Sequence, residues 1–439
     1  MARKLFGTDG VRGLAGEVLT AELALALGRA ASEELRSGHA PQVLVIRDTR
    51  ESGEMLEAAL AAGVAAAGGD VLLGGVLPTP AAPLLLGRNG FDLAVVISAS
   101  HNPYQDNGIK LFGPDGHKLA DAVEQAIEAR LEATDHPIPP RIGRVRALHG
   151  TLDDYLRELR ERFSDLDLTG VDVLLDCANG ATFRAAPEIF RRLGASVTAM
   201  ADTPDGRNIN AGCGSIHADA LAEAVVAGGH HVGFAFDGDG DRVLAADRTG
   251  AVVDGDELIA LAARHLHDAG RLPGDGVVVT VMTNYGFHSA MEQAGIEVAV
   301  TDVGDRNVIE ELRRRGWALG GEQSGHIIEM GFNPTGDGIA SALLTLEALG
   351  GRDLAERGGM RKLPQRLVNV PVADRDAAMA SADLLAAADR ESAELAGRGR
   401  VLVRPSGTEQ LIRVMVEAPT SDEAEAICNR LVTLVRAEF

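Results

Sequence analysis

At 439 residues the chain exceeds what one hydrophobic core ordinarily supports, so about three domains are expected, with two or four as alternatives. Its 42 basic and 64 acidic side chains leave a formal net charge of −22, which excludes nucleic acid as a partner, because binding to it requires clustered cations; an anionic small substrate would need its cations gathered at one site. Three cysteines without CxxC spacing, Cys177, Cys213 and Cys428, exclude a disulfide framework and a structural zinc site.

Short apolar runs alternate with helical patterns, the pattern of parallel α/β layers. Thr20 is placed to cap a helix over 21–36, with Gly38 at its exit, followed by strands at VLVI from Val43, DVLLGG from Asp70 and DLAVVIS from Asp92. Consecutive prolines at 137, 139 and 140 mark a linker over 135–146. A second block reads as strand VDVLLD from Val171, a helix through 189–193, and strands SVTAM from Ser196 and HVGFAF to Phe236. A third reads as a helix over 256–269, strand VVVTVM from Val277, helix GFHSAMEQAG, strand EVAVT and helix RNVIEELRRRG; the boundary near Val253 carries no compositional mark. After a break at GGMRKLP, residues 358–364, strands LVNVPVA, VLVRP and LIRVMVEA with an alanine-rich helix predict an α+β module, and Thr420 with Glu423 forms a capping box for the last helix. No apolar run approaches the roughly 20 residues that span a bilayer, and MARKLFGTDGVRG lacks a signal peptide's apolar core, so a cytoplasmic protein without membrane contact is expected.

Four polar segments stand out. In DLAVVISASHNPYQDNGIK an apolar strand runs directly into Ser98, Ser100, His101 and Lys110, beyond the carboxyl end of a strand, where α/β sheets bind ligands; alone, it reads more readily as a turn-forming polar loop. FDGDGDR places Asp237, Asp239 and Asp241 at alternate positions after another apolar strand. On a straight strand alternate side chains project about 6.6 Å apart, so the chain must curl to share an ion, and Gly238 and Gly240 permit the curl. An EF-hand is excluded, since Arg242 and Arg248 occupy the positions of its glycine and its bidentate glutamate. Three carboxylates point to Mg²⁺ ahead of Mn²⁺ or Ca²⁺, with coordination positions left for a phosphate oxygen or water; a solvated acidic turn is the plainer reading. GGEQSGHIIE offers Glu322, Ser324 and His326 on a glycine-rich turn suited to sugar hydroxyls. VRPSGTEQLIR combines Arg404 and Arg413 with Ser406, Gly407 and Thr408, a set suited to a phosphate monoester, against the alternative of a surface ion pair through Glu409. Arg12, in FGTDGVRG, lies on a turn near the start. His217, His230, His231, His265 and His267 read as ordinary polar or core residues.

Taken in this order the four segments resemble the α-D-phosphohexomutase superfamily across essentially the whole chain. FGTDGVRG, ISASHNP with DNGIK, DCANGA, CGS and GGEQSGH resemble the bacterial phosphoglucosamine mutases within it. The resemblance implies three α/β domains with mixed sheets and a smaller α+β C-terminal domain around a central cleft. They would span residues 1–152 with a phosphoserine loop, 153–253 with a metal loop, 254–364 with a sugar loop and 365–439 with a phosphate loop. It implies that Ser100 is a phosphoserine completing a Mg²⁺ site with Asp237, Asp239 and Asp241. Lys110 and His101 would serve proton transfer or charge stabilisation, and Arg12 would lie at the phosphoserine loop. Glu322 and Ser324 would contact sugar hydroxyls, His326 would be an active-site histidine, and Arg404, Ser406, Gly407, Thr408 and Arg413 would hold the distal phosphate. The implied reaction interconverts glucosamine 6-phosphate and glucosamine 1-phosphate through a bisphosphorylated sugar, which also serves as primer, and supplies UDP-N-acetylglucosamine and the cell wall. A homodimer is implied as well. Gln410 and Asn307 depart from the family's usual proline and tyrosine.

Overall fold

The structure, a computed structural model, describes residues 5–7, 9–36, 39–133, 135–406 and 410–438. Two compact units form, one from residues 1–281 and 299–357, the other from 282–298 and 358–439.

In the larger unit the first sheet contains β1 (Val11–Leu14), β2 (Gln42–Arg47), β3 (Asp70–Val76), β4 (Leu93–Ile97), β5 (Asp106–Phe112) and β6 (Val145–Ala147), in the order β1-β5-β4-β2-β3-β6. β2 pairs in parallel with β3 and β4, and β3 with β6, whereas β5 runs antiparallel to both β4 and β1. The sheet is therefore mixed. Every residue of β4 (LAVVI) is buried, as a central strand requires, whereas edge strand β6 (VRA) is exposed along its length. Thr20 caps the helix Ala21–Glu34 by accepting the Leu23 N–H at 3.2 Å; Gly38, expected at its exit, lies outside the described residues. Leu27, Leu60 and Val64 of the first two helices pack with Val43, Val45, Val95 and Ile97 of the sheet.

The second sheet contains β7 (Asp172–Asp176), β8 (Ser196–Met200), β9 (Val232–Phe236), β10 (Val243–Asp247) and β11 (Val252–Val253), in the order β11-β10-β9-β7-β8; β10 runs antiparallel to β9 and β11. The third contains β12 (Gly276–Thr280), β13 (Glu297–Thr301), β14 (Leu319–Gly321) and β15 (Ile327–Glu329), in the order β13-β12-β14-β15, with an antiparallel β14–β15 pair. Asp254 and Glu257 form a capping box at the helix Gly255–Asp268.

The smaller unit contains an antiparallel sheet of β16 (Gln365–Pro371), β17 (Arg400–Pro405) and β18 (Leu411–Glu417), in the order β16-β18-β17. Val370, Ile412, Val414 and Val416 pack against Leu384, Ile427 and Leu431 of its helices. The helix Tyr285–Ala294 belongs to this unit. Buried Glu417 accepts the Tyr285 N–H at 2.9 Å, and the Asn284 side chain donates to the Leu363 carbonyl at 3.1 Å. Thr420 accepts the Glu423 N–H at 3.2 Å, the first half of the expected capping box. Cys177, Cys213 and Cys428 are free and buried. Among the described residues no helix is long and apolar enough to cross a membrane.

Candidate active site

Two hairpin loops of the larger unit meet face to face. One leaves the buried strand β4, carries Ser100 and returns as β5; the other leaves β9, carries Asp237, Asp239 and Asp241 and returns as β10. All three carboxylates are buried, each with a potential ligand oxygen within 4.8 Å of the others. Gly240 adopts φ 73°, the left-handed conformation that the sequence assigned to both glycines. Gly238 does not; it is required for close approach, since a Cβ there would stand 2.6 Å from the Ser100 carbonyl oxygen.

The Ser100 hydroxyl donates to Asp237 Oδ2 at 2.5 Å, with His101 Nδ1 at 3.3 Å. Asp237 Oδ1 accepts the Arg242 N–H at 3.1 Å. Asp239 Oδ2 accepts from the Thr79 hydroxyl at 2.6 Å and from Lys110 Nζ at 2.8 Å. Lys110 Nζ also stands 3.5 Å from Asp241 and 3.2 Å from Asp9. Asp9 in turn pairs with Arg12 and Lys118, and Lys118 reaches Asp305 at 2.5 Å. Arg12 lies in β1 opposite Gly108, not on a free turn, and points a nitrogen toward the Ala99 carbonyl at 3.4 Å.

Burial, and then the charges of Asp241 and Asp239, push the Asp237 carboxyl well above the ordinary carboxylate range. Burial also disfavours the Asp241 carboxylate, but Lys110, His326 and Arg242 hold it far below that range. Against the cost of burial, Asp239, Asp9 and Asp241 raise the Lys110 ammonium above its ordinary value. His101 is lowered by burial and by Arg242 and Arg12, whereas His326 is raised by Asp241 and Asp305 despite complete burial.

The loop between β14 and β15 brings Glu322 and His326 to the same region. Glu322 Oε1 accepts the Gly304 N–H at 3.0 Å; His326 Nδ1 stands 3.5 Å from Asp241, and its Nε2 accepts the Gly336 N–H at 3.1 Å. Ser324 is exposed at the tip of the same loop. A cavity of about 380 Å³ is lined by Arg12, Asp241, Arg242, Asp305, Glu322 and His326. A larger, more apolar cavity of about 560 Å³, walled by Leu166, Leu168, Val232, Leu346, Leu349 and Leu354, lies apart from these groups. The smaller one gathers opposed charges, the cations of Arg12 and Arg242 with the carboxylates of Asp9, Asp241, Asp305 and Glu322.

The donor set fits a hard divalent cation. Asp239 Oδ1 and Asp241 Oδ1 are buried without a hydrogen-bond donor, an arrangement costly for a carboxylate unless a cation takes those lone pairs.

In the smaller unit Arg404 of β17 stands directly opposite Arg413 of β18. Like charges at facing positions repel. Burial and then Arg413 lower the Arg404 pKa, and Arg413 Nε is buried without a hydrogen-bond acceptor, so the pair is suited to an anion. Ser406 is buried, its carbonyl accepting from Arg375 at 2.7 Å; Gly407 and Thr408 lie outside the described residues. Gln410 accepts the N–H of Arg375, 35 residues away, at 3.4 Å, whereas the Asn307 side chain donates to the Val303 carbonyl at 3.1 Å and supports a local turn.

Asp9, Thr79, Lys118, Arg242 and Asp305 were missed as site residues. Asp9 and Arg242 lie inside motifs already in view (FGTDG, DGDGDR) and Asp305 lies two residues before Asn307, whereas Thr79, in PTP, carries no sequence signal that would single it out.

Comparison with known proteins finds matches along most of the chain. Residues 3–137, 153–250, 254–366 and 367–434 match, respectively, the phosphoglucomutase/phosphomannomutase α/β/α domains I, II and III and the C-terminal domain. A phosphoglucosamine mutase of Moorella thermoacetica is 52% identical over 97% of both chains. Another, of Mycolicibacterium paratuberculosis, is 51% identical over 99% of both. The crystal structure of a phosphoglucomutase/phosphomannomutase family protein from Burkholderia thailandensis superposes with a TM-score of 0.83 at 25% identity, covering 98% of each chain. The Aspergillus fumigatus N-acetylphosphoglucosamine mutase shares the fold, with a TM-score of 0.70 at 19% identity, over 99% of this chain and 96% of that one.

Proposed function

The chain belongs to the phosphoglucosamine mutase family of isomerases, and from that premise we propose that it interconverts glucosamine 6-phosphate and glucosamine 1-phosphate by passing a phosphoryl group through Ser100. The observation that carries this reading is the Ser100 hydroxyl 2.5 Å from Asp237, inside a cluster of three buried carboxylates. In the forward direction the P–Oγ bond of phosphorylated Ser100 breaks as a P–O1 bond forms, and the O1 proton leaves to a neighbouring base. That proton passes to the departing Oγ; the bisphosphate reorients, and P–O6 breaks while P–Oγ is remade, the Oγ proton passing to O6, which returns the carrier to its starting state.

Asp237, Asp239 and Asp241 would hold Mg²⁺, which when bound neutralises charge on the transferring phosphoryl group. Lys110 supplies a buried positive charge beside that group, and Arg12 and His101 flank it. Glu322, Ser324 and His326 would select the sugar, with a carboxylate suited to a cationic amine. Arg404, Ser406, Gly407, Thr408 and Arg413 would hold the phosphate that is not reacting. The four-domain division at residues 152, 253 and 364, a cytoplasmic location, a homodimer and a role in supplying UDP-N-acetylglucosamine belong to the same reading.

The test starts with mass spectrometry of the purified protein to find phosphate on Ser100. Specificity constants for glucosamine, glucose and mannose 6-phosphates are then compared at one Mg²⁺ concentration, with a glucose or glucosamine bisphosphate as primer. Glucosamine 6-phosphate is expected to lead, with some turnover of glucose 6-phosphate because the shared phosphate supplies much of the binding. Preference for glucose or mannose leaves a mutase but removes the glucosamine assignment. Undiminished turnover by Ser100→Ala removes the covalent carrier.

A further inference from the structure

Outside the reacting groups, two side chains anchored in different sheets hold the same pair of backbone carbonyls. Arg50 follows β2, and its side chain is entirely buried (0% exposed). One of its terminal nitrogens donates to the Ser100 carbonyl at 2.9 Å and to the Asn102 carbonyl at 2.8 Å; the other donates to the carbonyls of Asp106, at 3.1 Å, and Pro103. Asn210, from the segment following β8, donates its side-chain amide to those same Ser100 and Asn102 oxygens, at 3.0 and 3.1 Å. The amide orientation is fixed by chemistry, because turning it over would place Asn210 Oδ1 against two carbonyl oxygens.

We propose that Arg50 and Asn210 are positioning residues that jointly fix the backbone of Ser100 for phosphoryl transfer. This rests on the reading of Ser100 as the phosphate carrier.

Ser100 adopts φ 53°, a left-handed conformation disfavoured for any residue with a Cβ. Hydrogen bonds hold it there from both sides. The Ser100 N–H donates to Ser98 Oγ at 2.9 Å, the Ser98 hydroxyl donates to Asp48 Oδ2 at 2.6 Å, and that same oxygen accepts Arg50 Nε at 2.8 Å. On the carbonyl side, Arg50 and Asn210 each supply a donor, satisfying both lone pairs of the Ser100 oxygen. Gly238 closes the remaining approach, with no room for a Cβ between Ser100 O and Asn210 Nδ2. An ordinary hairpin turn between β4 and β5 needs none of this. A residue whose Oγ must both attack phosphorus and depart from it in line does, because a misplacement of about 1 Å costs roughly a hundredfold in rate. Asn210 comes from the segment after β8, a strand of the sheet that also contains β9 before the aspartates, so it also sets the serine loop against the Asp237 loop.

The test uses full-length, Ser100-phosphorylated protein carrying Asn210→Ala or Arg50→Lys, with Ser100→Ala as the reference. Single-turnover loss of phosphate from Ser100 after mixing with sugar phosphate is followed by rapid quench and mass spectrometry, alongside KM and the thermal midpoint. Asn210→Ala is expected to slow transfer roughly tenfold to a hundredfold with KM changed by less than about twofold and the midpoint near wild type. Arg50→Lys, which keeps a charge beside Asp48 but cannot fork over four carbonyls, is expected to slow it at least as much. Should Arg50→Lys fail to fold, Asn210→Ala decides. Transfer at the wild-type rate in folded Asn210→Ala overturns the proposal, and so does a loss that follows only the fraction unfolded. Turnover by Ser100→Ala would instead strike at the carrier assignment and leave the hydrogen-bond geometry to be explained otherwise.

Discussion

At the scale of single residues, Asp239 and Asp241 each keep one buried oxygen without a hydrogen-bond donor, whereas both oxygens of Asp237 are taken, by Ser100 and by the Arg242 N–H. Asp239 shows this best, with Oδ2 taken by Thr79 and Lys110, Thr79 N–H donating to its backbone carbonyl at 2.8 Å, and Oδ1 bare. Thr79 would therefore act through Asp239 on a cation bound there. Removing such an outer partner typically costs roughly tenfold to a hundredfold in metal affinity. Chelation is expected to abolish turnover and Mg²⁺ to restore it, and Thr79→Val to raise the Mg²⁺ needed by roughly the same factor. Calorimetric titration of Mg²⁺ into metal-free protein provides the readout independent of activity. Full turnover in chelator, or an unchanged titration for Thr79→Val, counts against a resident metal or against this route to it.

At the scale of elements, all four motifs occupy one kind of place, the link between antiparallel neighbours: β4–β5, β9–β10, β14–β15 and β17–β18. The apolar runs before the first two motifs were readable because β4 and β9 are buried along their whole length. The return strand was harder to see. DNGIKLF contains Asn, Gly and Lys, which disfavour strands, yet it pairs on both sides as β5, and partner strands override propensity there. The helix Ser52–Ala66 was passed over because its alanines and leucines surround it on several sides, which erases the 3.6-residue period. Ser100, the three aspartates, Glu322 and His326 were legible as motifs. Arg50 and Asn210 were not, since only folding brings them to the same carbonyls.

The β17–β18 pair carries its own consequence. Arg404 and Arg413 face each other across the ladder, so alanine at either position relieves repulsion while removing a charge-assisted contact worth about 1.5 to 3 kcal/mol. Either substitution is expected to lower kcat/KM roughly tenfold to a hundredfold without lowering the thermal midpoint. An unchanged specificity constant removes the pair from substrate binding.

At the scale of the molecule, distant parts of the chain converge on one buried carboxyl. Asp337 caps the helix Gly338–Leu349 by accepting the Ala340 N–H at 2.9 Å, and it accepts the Tyr155 hydroxyl of the helix Thr151–Arg162 at 3.0 Å. The Asn333 amide beside it reaches the Pro80 carbonyl, at 3.0 Å. Burial dominates these hydrogen bonds and pushes the Asp337 carboxyl from 3.8 up to about 6. The folded protein therefore holds this proton to higher pH than the unfolded chain does. The group's contribution is fully present below about pH 4 and is lost as pH rises through about 6, by an amount on the order of 3 kcal/mol. Asp337→Asn keeps an oxygen for the Ala340 N–H and the Tyr155 hydroxyl but cannot ionise. Thermal midpoints measured from pH 4 to pH 8 are expected to show the variant well above wild type at pH 8, with the gap closing toward pH 4. A gap independent of pH would mean that Asp337 is ionised throughout in the folded state, held by its three donors more strongly than burial opposes them.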